Sequence, residues 1–138
     1  MFNELVKYTN KGSFIFKKGD QLSLVSKDVP RKHGVYYVLR MANTRKDLVY
    51  IGKAGTIEKN GECKKQCLRG RINNKQDGIN RQSFLTSKMN EENIDTLEFC
   101  WFVTYDDNIK DLPGYVEGLL IQKYFEVNRT LPEWNKCF

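Results

Sequence analysis

The strings Gly34-Val35-Tyr36 and Tyr50-Ile51-Gly52 constrain this chain more than any other feature. Each is a strand-like piece with one tyrosine and one glycine, and thirteen residues separate Tyr36 from Tyr50. Aromatic and β-branched residues crowd residues 34–40, which predicts a strand. Alternation puts Tyr36 and Val38 on one face, and Val35, Tyr37 and Leu39 on the other. Residues 43–47 form a polar connection. Residues 48–52 are the second strand, on which Tyr50 faces opposite to Val49 and Ile51. So short a connection favours antiparallel pairing. Ordinary strand packing does not require the paired strings. A phenol can give or take a proton, and a glycine lets another backbone or a phosphate come close.

The rest of the chain supplies a third strand and several helices. Residues 97–104 (LEFCWFVT) are almost continuously apolar, which suggests a buried strand. Residues 53–61 read as loop, with Asn60-Gly61 a turn. A helix is expected over 64–74, carrying Cys67, Leu68, Arg71 and Ile72. A shorter one over 82–90 carries Phe84, Leu85 and Met89. Asp111 can cap a last helix with Pro113 in its first turn, running to about Val127. Upstream, residues 14–16 and 22–25 read as two short strands around the turn Lys18-Gly19-Asp20. Pro30 separates them from the strand at 34–40. The expected organisation is an N-terminal β extension, 1–30, and one domain, 31–138.

Composition closes off several classes. The chain is 40% apolar and 12% aromatic, which is globular rather than disordered. No apolar run approaches the ~20 residues of a membrane helix. Met1-Phe2-Asn3-Glu4 is no signal peptide, so no membrane association and a cytoplasmic location are expected. Cys63, Cys67, Cys100 and Cys137 are then expected as reduced thiols. Cys63 and Cys67 could share a helix face, but zinc needs two further ligands and the chain has one histidine, His33.

The net charge of +6 is unevenly spread. Residues 31–88 hold 14 Lys/Arg against 4 Asp/Glu, and residues 89–138 hold 4 against 10. A basic block of that size suggests a polyanion partner, although a solvated surface gives the same count.

Glu117 stands out in the last helix. It lies three residues before Leu120, four before Ile121 and seven before Tyr124, which turns it towards the packed side. A carboxylate there is costly without a partner or a metal, unless it reaches solvent at the edge of that face. Tyr36, Tyr50, Lys53, Arg71 and Glu117 together suit phosphodiester hydrolysis. Nearby cations lower a phenol's pKa from ~10 and make it a base. A guanidinium grips phosphate oxygens in pairs. One carboxylate can hold one hydrated Mg²⁺.

These residues resemble the GIY-YIG nucleases, named for the paired strings. Lys53 follows the second glycine, as in the excision-repair members. The family's helical arginine, in a pattern like L-x-x-R-[IL], matches Leu68-Arg69-Gly70-Arg71-Ile72 at Arg71. Its metal-binding glutamate matches Glu117, and its late asparagine matches Asn135. The resemblance covers about residues 31–138. Eighteen residues lie between Gly52 and Arg71, so an insertion occupies 53–67. Lys75 stands where some restriction enzymes of the family have a histidine. The family's linked DNA-recognition domains have no counterpart.

The resemblance implies an α+β fold, a three-stranded antiparallel sheet flanked by helices. It implies a divalent-metal-dependent endonuclease acting on nucleic acid, with DNA the first expectation. Tyr36 would be the general base for water, and Tyr50 would hydrogen-bond near the scissile phosphate. Lys53 and Arg71 would stabilise the charged transition state, and Glu117 would bind one Mg²⁺ or Mn²⁺. Asn135 and the basic residues Arg69, Lys75 and Arg81 are the expected substrate contacts. Cutting both strands from one site per chain would suggest a homodimer. Two rival readings are a non-catalytic nucleic-acid-binding module and an interaction module that pairs through its N-terminal strands.

Overall fold

The structure is a computed structural model and describes residues 2–76 and 78–138. After a 3₁₀ turn at Asn3–Leu5, the chain forms β1 (Lys11–Lys17), α1 (Leu22–Val25), β2 (His33–Ala42) and β3 (Arg45–Ala54). A small hairpin, β4 (Thr56–Ile57) and β5 (Cys63–Lys64), leads to α2 (Leu68–Asn73). A second, β6 (Lys75–Gln76) and β7 (Ile79–Asn80), leads to α3 (Arg81–Glu92), β8 (Thr96–Tyr105) and α4 (Pro113–Asn128).

The strands expected at 34–40, 48–52 and 97–104 are the cores of β2, β3 and β8. They lie in one antiparallel sheet, and β1 joins as a fourth strand, in the order β1-β8-β2-β3. The sheet therefore has four strands rather than three. Phe14 stacks on Phe99 at 4.7 Å between ring centroids, which binds β1 to β8 through a cross-strand aromatic pair. Residues 22–25 form a single helical turn rather than a strand. Leu-Ser-Leu-Val satisfies both periods, and one turn is enough to bury Leu22 and to pack Val25.

Both sheet faces are covered. Tyr36, Val38 and Val49 pack with Leu68 and Ile72 of α2, with Phe84, Leu85 and Met89 of α3, and with Trp134. On the other face, Val35, Tyr37, Leu39 and Ile51 meet Val116, Leu120 and Ile121 of α4, with Leu5 and Tyr8.

Four local expectations change. Val38 pairs with Tyr50 and Leu39 with Leu48, so Val49 is an extra residue, a β-bulge. The bulge places Val49 in the same core as Tyr36 and against Tyr50, where strict alternation separates Val49 from Tyr50. The helix expected from residue 64 begins at Leu68, because Cys67 caps it: its Sγ accepts from the Gly70 N–H at 3.4 Å. Cys63 instead pairs with Ile57 in the small hairpin, and all four cysteines are free. Leu112, not Asp111, is the residue before α4. Asp111 accepts the Tyr8 hydroxyl at 2.7 Å and pairs with Lys7 at 2.7 Å. No described helix is long and apolar enough to cross a membrane.

Candidate active site

The two glycines of the paired strings admit neighbours from within the molecule. A Cβ on Gly34 would run into the Phe102 carbonyl of β8, and one on Gly52 would lie 2.7 Å from Cζ of Tyr36. The first glycine lets the β2 and β8 backbones approach, and the second makes room for the Tyr36 ring.

Tyr36 is fully buried, at 0% exposure, and its Oη accepts from Nη1 of Arg81 at 3.1 Å. Its ring centroid is 5.9 Å from that of Tyr50. Tyr50, beside the bulge on the edge strand β3, is only partly buried. Solvent therefore reaches Tyr50 and not Tyr36, the tyrosine expected as general base. Burial pushes the Tyr50 phenol up to about 12, and Tyr36 adds to the rise. The positive charges of Arg81 and Arg71 oppose it, and Glu117 reinforces it. One phenol thus senses residues from β2, α2, α3 and α4.

Glu117 reaches the same place from the face covered by α4. Burial raises its carboxyl above the usual value, while Lys53 and then Arg71 pull it down. Lys53 also approaches α4 directly, because a Cβ on Gly114 would lie 4.0 Å from its Cδ. Arg71, near the end of α2, donates from Nη1 to Oε1 of Gln66 at 3.2 Å. Its Nε is buried without a hydrogen-bond partner among the described residues.

Lys53, Gly55, Thr56, Lys65, Gln66 and Arg71 line a cleft of about 280 Å³. Three of those six residues are cations and none is acidic. Larger depressions, of about 800 and 700 Å³, lie elsewhere. The first mixes acids with bases, and neither is lined by Lys53 or Arg71. The smaller cleft is lined by both of these cations, which act on Glu117, and is the candidate site; Tyr50 and Glu117 are not among its lining residues. Lys65 adopts φ 68°, a left-handed conformation uncommon for a non-glycine residue, and this turns the chain at the cleft mouth. Tyr105 donates to the Gly61 carbonyl at 2.5 Å and ties the β4–β5 hairpin to the end of β8.

The donor set fits one hydrated divalent cation. Glu117 offers a mostly buried carboxylate with neither hydrogen bond nor ion pair among the described residues. No group of three or more His, Cys, Asp or Glu side chains is gathered among those residues. Glu117 would then hold the ion alone, with water and substrate oxygens completing its shell.

The remaining expected contacts fall elsewhere. Asn135 spends its amide on the β3 backbone, accepting from the Ile51 N–H at 3.0 Å and donating to the Ile51 carbonyl at 2.9 Å. Arg69 donates from Nε to the Val29 carbonyl at 2.7 Å and lines the 700 Å³ depression, away from Arg71. Lys75 is exposed on β6. Arg81 is 1% exposed and so faces the tyrosines rather than a substrate. Lys65 and Gln66 carry no signal in the sequence that would have placed them at the cleft. Arg81 carried an interior signal, because it leads Phe84, Leu85 and Met89 by three, four and eight residues.

No protein-family model, curated protein or solved structure matches the chain.

Proposed function

We propose that this chain is a divalent-metal-dependent endonuclease that hydrolyses phosphodiester bonds in nucleic acid, with DNA as the first substrate to test. The observation that supports it is convergence. Tyr50 and Lys53 from β3, Arg71 from α2 and Glu117 from α4 are linked electrostatically, and Lys53 and Arg71 of that set line one cationic cleft. Nothing in the packing of three separate elements requires those chemistries to meet.

Lys53 and Arg71 would bind the phosphate and offset the charge that grows on it in the transition state. Lys65 and Gln66 would complete the cleft wall along the backbone. Glu117 would hold the cation, which when bound supplies Lewis acidity at the phosphoryl oxygen and at the leaving alkoxide. Tyr50 is the tyrosine placed to meet water. As general base it must release a proton that burial holds tightly, and Arg81 and Arg71 act in favour of release.

The test is incubation with duplex, nicked, branched and single-stranded DNA and RNA in Mg²⁺ or Mn²⁺. Wild-type protein is expected to cut at least one substrate only with metal. Glu117→Ala is expected to lose cleavage by roughly a thousandfold or more while binding the same substrate within about threefold. Normal nicking by that variant removes Glu117 from the site. Salt-sensitive binding without any metal-dependent cutting would instead identify a non-catalytic binding module.

A further inference from the structure

Arg81 sits where three effects oppose a cation. Burial strips its guanidinium of water, at 1% exposure. No carboxylate pairs with it among the described residues; its hydrogen bonds go to Oη of Tyr36 at 3.1 Å and, more weakly at 3.5 Å, to the carbonyl of Arg71. It also opens the twelve-residue helix α3, whose N-terminus is the positive end of the helix dipole. Its Nε has no partner at all among the described residues.

A guanidinium only donates, so Tyr36 Oη is the acceptor in their bond. Cζ of Arg81 lies 5.6 Å from the ring centroid of Tyr50. The phenols of Tyr36 and Tyr50 are thus where this buried charge is felt.

We propose that Arg81 is a positioning residue for the tyrosine pair: it locks the Tyr36 hydroxyl as an acceptor and holds positive charge beside the Tyr50 ring, where it favours release of the Tyr50 proton. The groups facing Tyr50 are Tyr36 from β2, Arg71 from α2, Arg81 from α3 and Glu117 from α4. Tyr36 and Glu117 favour retention of the proton, and the two arginines favour release. Arg71 is partly exposed at a cleft and is screened by solvent ions; Arg81 is not. The weak bond to the Arg71 carbonyl also links α3 to the helix that carries the phosphate-binding arginine. The use of this released proton in catalysis rests on the nuclease proposal, whereas the coupling of Arg81 to the phenols does not.

The experiment is a pH titration of Cζ-labelled tyrosines by NMR in wild type, Arg81→Lys and Arg81→Met, with Tyr50→Phe assigning the Tyr50 signal. The onset of Tyr50 ionisation is expected at the lowest pH in wild type, higher in Arg81→Lys and highest in Arg81→Met. Lysine keeps the charge but not the planar fork. Coincident onsets overturn the proposal. If Arg81→Met does not fold, wild type against Arg81→Lys decides it.

With a cleaved substrate in hand, Arg81→Met is expected to lower kcat by about tenfold or more with KM within about twofold. The rise of rate with pH moves upward, and Arg81→Lys recovers part of it. A fall in kcat with an unmoved pH profile marks a merely structural arginine and overturns the proposal. Absence of cleavage by wild type refutes the nuclease proposal and leaves the titration to judge Arg81.

Discussion

A mostly buried carboxylate without a hydrogen bond weakens the fold that contains it, and Glu117 is such a group. Its folded-state pKa is raised, chiefly by burial. The folded protein is therefore most favoured with Glu117 protonated, below the ordinary carboxylate range, and that contribution is lost as pH rises through the raised value. Metal-free Glu117→Gln should accordingly unfold at a higher temperature than wild type at neutral pH, with the gap closing in acid. A divalent ion at a hundred times its Kd should stabilise wild type by about 2.7 kcal/mol and leave the variant unmoved. Thermal unfolding with and without Mg²⁺, across pH, reads both. Equal stabilisation of the two proteins would take the metal away from Glu117. At this scale the sequence was informative for Glu117, because helical spacing alone turned it inward. It was less informative for Arg81. The spacing to Phe84, Leu85 and Met89 was present, but a phenol 45 residues earlier in the chain is its partner, and periodicity does not name partners.

The edge of β3 decides where Tyr50 points. Val49 bulges out of the ladder, and its carbonyl accepts the Trp134 N–H at 2.8 Å. Two residues on, Asn135 closes both backbone groups of Ile51 with its side-chain amide. The C-terminal segment thus stands in for a fifth strand over the stretch that flanks Tyr50, and satisfies an edge that would otherwise be open. Asn135→Ala leaves the Ile51 N–H and carbonyl without those partners. It should cost about 1–3 kcal/mol of stability, with affinity for nucleic acid unchanged once the folded fraction is allowed for. Denaturant unfolding beside a binding isotherm separates the outcomes. Weakened binding at undiminished stability would return Asn135 to the substrate contacts. The long strands were legible because β-branched and aromatic residues are dense there. The bulge, the late start of α2 and the β4–β5 pairing were not, because each depends on a neighbour across the fold. Cys67 caps α2 just after residues 63–64 pair with residues 56–57, a pairing that helical spacing does not reveal.

The first thirty residues belong to the sheet and to both cores. β1 pairs with β8 over seven residues, from Lys11 opposite Phe102 to Lys17 opposite Thr96. Phe16, Leu22 and Val29 are buried on the α3 side of the sheet, and Leu5 and Tyr8 on the α4 side. Turn and proline signals at residues 18–20 and 30 mark boundaries in the chain, but they do not say whether the segment between them packs back. Here Phe14 and Phe16, read as part of a separate extension, complete the sheet that carries the site. Each large apolar side chain returned to water costs about 1.5–3 kcal/mol, so exposing the partners of five of them approaches the ~5–15 kcal/mol that holds a domain together. Deletion would also open the long apolar edge of β8, whose central residues Leu97, Phe99 and Val103 are buried. A chain beginning at residue 31 is therefore expected to lose its cooperative unfolding transition and to self-associate, as read by calorimetry and sedimentation. The full chain should melt in a single transition under the same conditions. A cooperative melt of the shortened chain within a few degrees of the full one would show that residues 31–138 fold alone. The sheet would then owe its stability to β2, β3 and their helices rather than to β1.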